Sequence, residues 1–224
     1  MRRILTLALT LTMAQAAMAQ ATIDRVVAVV NKRVITQSEW DEQARYEALV
    51  NGTAPETVQF TKESLERLVD LQLMREQLEY VRFEALTPEQ QAEQVKAVRQ
   101  QVAPNASDEQ WRALLARYKL SEDEFATRVA AQVDVMRFVD LRFRPSVHVD
   151  TEKVEKYYAE SLVPELMKKG SAKEQVPPLN EVEPKIRAIL SEQQLNDMLK
   201  QWLTGLRAQG RIKLMATAKA PTGD

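Results

Sequence analysis

The N-terminal part of the chain carries two short apolar runs separated by a polar turn. Val26 to Val30 is an unbroken apolar run, and Val34-Ile35 follows after Asn31-Lys32-Arg33. Two such runs predict a β-hairpin, because Asn tolerates the left-handed backbone that a tight turn needs. Neither run alternates strictly between apolar and polar residues, which indicates that both faces of the hairpin are covered.

The rest of the chain predicts helices, and capping boxes mark where several of them start. A Ser or Thr followed three residues later by Glu or Gln lets each side chain satisfy a free backbone donor at a helix start. The pattern occurs at Thr36-Glu39, Thr87-Gln90, Ser107-Gln110 and Ser121-Glu124. Together with the apolar spacing, it predicts helices over 38–50, 61–80, 88–102, 108–117 and 121–143.

Two of these helices have informative apolar faces. Residues 61–80 are apolar on more than one side, with Leu68 near the middle, which predicts the central buried helix. The helix over 121–143 has a stripe at three- and four-residue spacing. Its members are Phe125, Val129, Val133, Met136, Val139 and Phe143.

The C-terminal part predicts a short helix, a linker, a long helix and a strand. Asp150 would cap a helix over 151–162, and the Pro- and Gly-containing segment 163–179 is the predicted linker. Asn180 would cap a helix from Glu181 to about Arg207, and residues 211–215 would form the last strand. The long helix has a stripe comprising Val182, Ile186, Ile189, Leu190, Leu195, Leu199, Trp202 and Leu206. The fold class is therefore mainly helical, all-α apart from an N-terminal β-hairpin and a C-terminal strand.

The first nineteen residues have the pattern of a secretory signal peptide. Arg2 and Arg3 precede an apolar stretch from Ile4 to Met13, and Ala17-Met18-Ala19 offers a small-residue cleavage site. The apolar stretch is too short to span a bilayer. The pattern predicts a mature chain that starts near Gln20 in the periplasm; the alternative is a buried N-terminal helix.

Composition excludes several classes of function. Lys and Arg number 31 against 32 Asp and Glu, and both signs are interspersed, so there is no basic stripe for nucleic acid. The chain has no Cys, which excludes disulfides and cysteine nucleophiles. No segment of the mature sequence approaches the length of apolar residues that spans a membrane.

Candidate chemistry is sparse. His148 is the single histidine and is expected to be structural or solvated; no metal site, cofactor or catalytic residue is predicted. Trp202 and Leu68 are expected to be core residues. Residues at helix ends and adaptable methionines are the candidates for binding another chain. They are Phe60, Met74, Tyr80, Phe83 and Met136.

The sequence resembles the SurA N-terminal family of periplasmic chaperones. The resemblance rests on Val27 to Asn31 with Val34-Ile35-Thr36, on Leu65 to Leu78, on Val154 to Tyr158, and on Leu179 to Leu214. A parvulin domain of the family would normally lie between the last two segments, and only a short linker stands there. The Asn31-Lys32-Arg33 turn also departs from the acidic or Gly-containing turn of the family.

The resemblance implies an ATP-independent chaperone that binds unfolded outer-membrane proteins or other exported polypeptides, without prolyl-isomerase activity. The alternatives are an assembly subunit with one fixed envelope partner and, third, a peptidyl-prolyl isomerase. The expected organisation is a signal peptide over 1–19, a helical chaperone region over 20–150, a helix and linker over 151–179, a completing helix and strand over 180–215, and a tail over 216–224. The stripe of the long helix would be covered by the N-terminal helices or by a second copy in a homodimer.

Overall fold

The structure is a computed structural model that describes residues 24–81, 86–168 and 176–215. It is mainly helical with a small antiparallel sheet, which confirms the predicted fold class. The helices are α1 (Gln37–Val50), α2 (Lys62–Tyr80), α3 (Pro88–Val102), α4 (Asp108–Arg117), α5 (Glu122–Phe143), α6 (Thr151–Tyr157), α7 (Val163–Lys168) and α8 (Leu179–Gln209). Short 3₁₀ turns cover Pro55–Thr57 and Arg144–Ser146. The predicted signal peptide, Phe83 and the predicted tail lie outside the described residues.

All four predicted capping boxes form. Thr36, Thr87, Ser107 and Ser121 each accept a hydrogen bond from the backbone N–H three residues on, and the Glu or Gln there accepts one from the backbone N–H of the cap. The boxes fix the starts of α1, α3, α4 and α5, because they satisfy donors that the first turn of a helix leaves free.

The sheet joins the two ends of the described chain. Strand β1 (Val26–Val30) lies between β2 (Arg33–Thr36) and β3 (Ile212–Leu214), antiparallel to both. Val30 pairs with Arg33 on one side and with Ile212 on the other. Asn31 takes a positive φ of 53° in the turn between β1 and β2, as a tight hairpin requires.

The buried side chains form two apolar clusters that share α1 and α5. Cluster A packs the sheet and α2 with Trp40 of α1 and Val135 of α5. Cluster B packs the end of α1 with α4, the turn after it, and Phe125 and Val129 of α5. Helix α5 therefore spans both clusters, and its buried face changes along its length.

This change of face corrects the predicted stripe of α5. Phe125, Val129 and Phe143 are buried as predicted, but Met136 is 59% exposed. Val135 and Phe138 are buried in its place, at 4% and 3% exposure. The regular spacing assumed one partner along the whole helix, whereas α5 leaves cluster B for cluster A near its middle.

The C-terminal part also departs from the prediction at two points. A π-helical turn (Tyr158–Leu162) links α6 to α7, so helix continues to Lys168 where a linker was predicted. Pro164, which has no backbone N–H to donate, stands two residues after this π-helical turn, inside the continuous helical segment. Helix α8 begins two residues earlier than predicted, and Pro178 occupies the cap position instead of Asn180.

Helix α8 packs against α2, α5 and α6. Ile186 and Leu195 are buried, while the other members of its predicted stripe are partly buried. Polar contacts supplement this packing: Arg207 Nε donates to Asp70 Oδ1 at 2.5 Å, and Arg144 donates to Glu192 Oε1 at 2.9 Å. Together with β3, α8 joins the N-terminal elements in one packed body.

Candidate functional site

A concave groove lies between α3, α4 and α5. Its volume is about 900 Å³. Ala92 and Val95 line it from α3, Trp111 from α4, and Ala126 and Ala130 from α5. Because Ala92, Lys96 and Gln100 on the α3 side are exposed, the groove is open to solvent along that wall.

The floor of the groove is aromatic and rigid. Trp111 and Phe125 are buried at 2% and 1% exposure, and their rings meet edge to face with centroids 4.9 Å apart. Tyr46 packs on the other side of Phe125 at 5.9 Å. Aromatic pairs of this geometry are stabilising beyond the area they bury, so packing within cluster B holds these rings in place.

Helix α3 forms a solvent-exposed wall that packs against α5. None of its residues is buried; Val95, Val98 and Val102 only lean on cluster B. On α5, the facing positions Ala126 and Ala130 are small and one turn apart. Small side chains on α5 allow α3 to pack close to it, and the groove runs along this contact, open on the side of α3.

An arginine anchors one end of the groove. The guanidinium of Arg99 lies 5.6 Å from the ring centroid of Trp111 and donates to the backbone oxygen of Ala106 at 3.1 Å. It also pairs with Asp108 at 2.8 Å. The hydrogen bond and the charge of Arg99 lower the pKa of the Asp108 carboxyl, so this pair is charged at neutral pH. The rim of the groove therefore carries both signs of charge over an apolar floor.

Four of the residues predicted to bind another chain do not line this groove, and Phe83 lies outside the described residues; the four are Phe60, Met74, Tyr80 and Met136. Phe60 is 39% exposed and rests edge-on against Trp40, with ring centroids 5.5 Å apart. Tyr80 is 84% exposed at the last residue of α2. Phe60 and Tyr80 are separated by the whole of α2, which is roughly 28 Å long at 1.5 Å per residue. They do not belong to one site.

The two methionines differ in exposure. Met74 is partly buried against cluster A, and Met136 projects from α5 with 59% of its surface exposed. Leu68 is buried in cluster A at 4% exposure. Trp202 is partly buried between Phe138 and Phe143 of α5, with ring centroids 5.6 and 5.5 Å away.

The described residues offer no site for a metal. They contain no group of three His, Cys, Asp or Glu side chains placed to hold an ion. The side chain of His148 is 88% exposed, and its Nε2 lies 3.7 Å from Asp150 Oδ1. Over the same residues, no helix combines the length and apolar character that crossing a bilayer needs.

No family model matches the chain, and no curated protein matches it. The resemblance to the SurA N-terminal family stays a prediction that rests on the motifs quoted above. The groove was not found from the sequence. The only signal for it was the pairing of two small residues on α5 with a weakly apolar α3.

Proposed function

We propose that the protein is an ATP-independent periplasmic chaperone that holds unfolded segments of outer-membrane proteins, without prolyl-isomerase activity. The observation that carries the proposal is the open groove between α3, α4 and α5. The buried rings of Trp111 and Phe125 support the groove from below. The apolar surface that solvent reaches comprises Ala92, Val95, Ala126 and Ala130. Extended segments of unfolded chains expose apolar side chains, which gain free energy by leaving water for such a surface.

The walls of the groove favour a polypeptide over a small molecule. Pockets for small ligands are mostly enclosed and place a few polar groups so that they converge on the ligand. Here the wall formed by α3 is exposed and carries Gln, Lys and Ala side chains. Such a wall excludes few sequences, and broad binding of this kind is what a chaperone needs. The sequence has five glycines and no Gly-rich phosphate loop, which favours binding without ATP.

A substitution in α3 tests the groove with a control on the same helix. Ala92 is exposed and lines the groove, whereas Ala97 is exposed on α3 but is not among the groove residues. We expect Ala92→Glu to weaken suppression of aggregation by at least about fivefold, since a carboxylate on the groove wall must be desolvated when a chain binds. Ala97→Glu should act like the native protein.

The measurement is light scattering of several unrelated outer-membrane proteins diluted from denaturant, with and without the mature chain. Suppression of one protein alone would point instead to a subunit with a fixed partner. Absence of suppression, or equal activity of the two Glu variants, would contradict the proposed groove. Acceleration of prolyl isomerisation in a peptide assay would contradict the statement about isomerase activity.

A further inference from the structure

A polar seam lies between clusters A and B, where α1, α2 and α5 meet. Arg128 of α5 donates to Gln43 Oε1 at 3.0 Å and to Glu42 Oε2 at 2.7 Å, both on α1. Gln43 is only 6% exposed. Arg128 is thus a paired cation, and its side chain fixes α5 against α1.

Two further polar side chains project from α2, and one of them, Arg75, lies close enough to Arg128 for their charges to interact. Gln72 follows Leu68 and Leu71 on the buried face of α2 and is 8% exposed. Arg75 follows Gln72 by three residues, so the two lie one turn apart on the same face. Among the described residues, neither Gln72 nor Arg75 has a side-chain hydrogen bond or ion pair.

The tip of Gln72 is open to solvent although most of the residue is buried. No fully buried side-chain nitrogen or oxygen in the described part of the chain lacks a hydrogen-bond partner. The amide group of Gln72, which lacks one, must therefore reach water. An amide that reaches solvent is also accessible to a ligand oxygen, which would take the place of water there.

The charges around Arg75 favour an anion with a single negative charge. Burial lowers the pKa of the Arg75 guanidinium, and the nearby Arg128 and Arg33 lower it further, while Glu39 opposes them. Arg128 is already neutralised by Glu42. One unpaired guanidinium remains at the seam, and the nearby Glu39 would repel a doubly charged phosphate more strongly than a singly charged carboxylate. A carboxylate matches this balance better.

We propose that Gln72 and Arg75 form a binding subsite for a carboxylate of a polypeptide, either an acidic side chain or the chain end. The planar guanidinium donates two parallel hydrogen bonds to the two carboxylate oxygens, and the Gln72 amide donates a third. The subsite is separate from the groove. Arg128 lies on the side of α5 that faces Arg75. That side is roughly 160° around the helix from Ala126 and Ala130, which line the groove.

Three fluorescent peptides of one twelve-residue sequence test the subsite by anisotropy with the full mature chain. One has a central Glu and an amidated end, one a central Gln and a free carboxylate end, and one a central Gln and an amidated end. We expect at least one charged peptide to bind about tenfold more tightly than the neutral one, as for a charge-assisted hydrogen bond. The peptide that gains affinity identifies the source of the carboxylate.

Variants assign this preference to the two residues. Arg75→Gln should reduce the preference to about one. Gln72→Glu should do the same, because its carboxylate would pair with Arg75 one turn away and fill the position. Arg117→Gln removes an exposed arginine of α4 and should leave the preference unchanged. Arg75→Gln should also melt at the native temperature or above it, because no partner is lost.

Equal binding of all three peptides, no binding of any of them, or a preference that survives Arg75→Gln would each overturn the subsite. Strong destabilisation by Arg75→Gln would overturn it too, since it would show that the arginine serves the fold. None of these outcomes decides the proposed chaperone function. That function is tested by aggregation of outer-membrane proteins and by the α3 variants, which lie outside the subsite.

Discussion

Asn31 ties three parts of the chain together at the tip of the hairpin. Its backbone takes a positive φ of 53°, which Asn tolerates better than most residues. Its side chain donates to Glu76 Oε2 of α2 at 2.6 Å and accepts from the backbone N–H of Arg211 at 2.9 Å. The sequence predicted the turn from Asn31, but the two distant partners are visible only in the fold.

We expect Asn31→Ala to lower the free energy of unfolding by about 2 kcal/mol, through the loss of two hydrogen bonds and the strain of a left-handed Ala. Asn31→Gly loses the hydrogen bonds without the strain and should cost about half as much. Lys32→Ala, in the same turn, is the control and should be neutral. Urea unfolding measures all three. Equal stability of Asn31→Ala and the native chain would show that the hairpin tip does not hold α2 and the C-terminal segment.

Helix caps are the part of the fold that the sequence predicted best. The capping boxes depend on residues three positions apart, so the local sequence contains all the information that they need. The starts of α1, α3, α4 and α5 were accordingly predicted to within one residue. The buried face of α5 was not, because Met136 and Phe138 can be told apart only when the positions of both clusters are known.

The N-terminal caps of α5 and α6 differ in whether the side chain of the cap residue makes a hydrogen bond. Ser121 binds the backbone N–H of Glu124, whereas Asp150 makes no side-chain cap bond. We expect Ser121→Ala to lower the free energy of unfolding by about 1 kcal/mol, and Asp150→Ala to change it by less than about 0.3 kcal/mol. Urea titrations at pH 7 measure the difference. Equal effects at the two positions would contradict the role of the capping box.

The same cap gives a pH dependence with a defined sign. The Glu124 carboxyl has a lowered pKa, chiefly because of its hydrogen bond with the backbone of Ser121 and then because of that with the Ser121 side chain. The unfolded chain therefore binds the proton more readily than the folded chain. The contribution of Glu124 to the free energy of unfolding is present above its ordinary pKa of 4.5. It is lost as the pH falls through the lower pKa of the folded state. Glu124→Gln keeps a capping box of the kind seen in α3 and α4, and should remove this part of the acid sensitivity.

The arrangement of the whole molecule follows from two clusters that share α1 and α5. Apolar periodicity located the helices that supply each cluster, but it carries no information on the separation of neighbouring helices. The groove depends on that separation, since it is lined from both helices, by Ala92 of α3 and by Ala126 and Ala130 of α5. The seam at Gln72 and Arg75 was equally hidden, because both residues look like ordinary polar positions of a helix until their surroundings are known.

Removing α8 and β3 tests whether the N-terminal elements need them in order to fold. Strand β3 covers one edge of β1, whose Ala28 and Val30 are completely buried. Helix α8 contributes the buried Ile186 and Leu195 and the pair between Arg207 and Asp70. A chain that ends at residue 178 loses all of these contacts and exposes cluster A. We expect it to be unfolded or strongly destabilised, because the lost burial is comparable with the stability of a typical domain.

A single substitution measures the aromatic part of the same interface. Trp202 packs on Phe138 and Phe143, and Arg142 lies over its ring at 5.2 Å. We expect Trp202→Ala to cost about 3 kcal/mol, the lower end for a large aromatic residue, because the ring is only partly buried. Leu141→Ala, on α5 but 63% exposed, is the control and should cost less than about 0.5 kcal/mol. If Trp202→Ala lowers the free energy of unfolding no more than Leu141→Ala does, then the aromatic contact does not stabilise the fold. If the shortened chain melts cooperatively at the temperature of the full mature chain, then the N-terminal elements fold without α8.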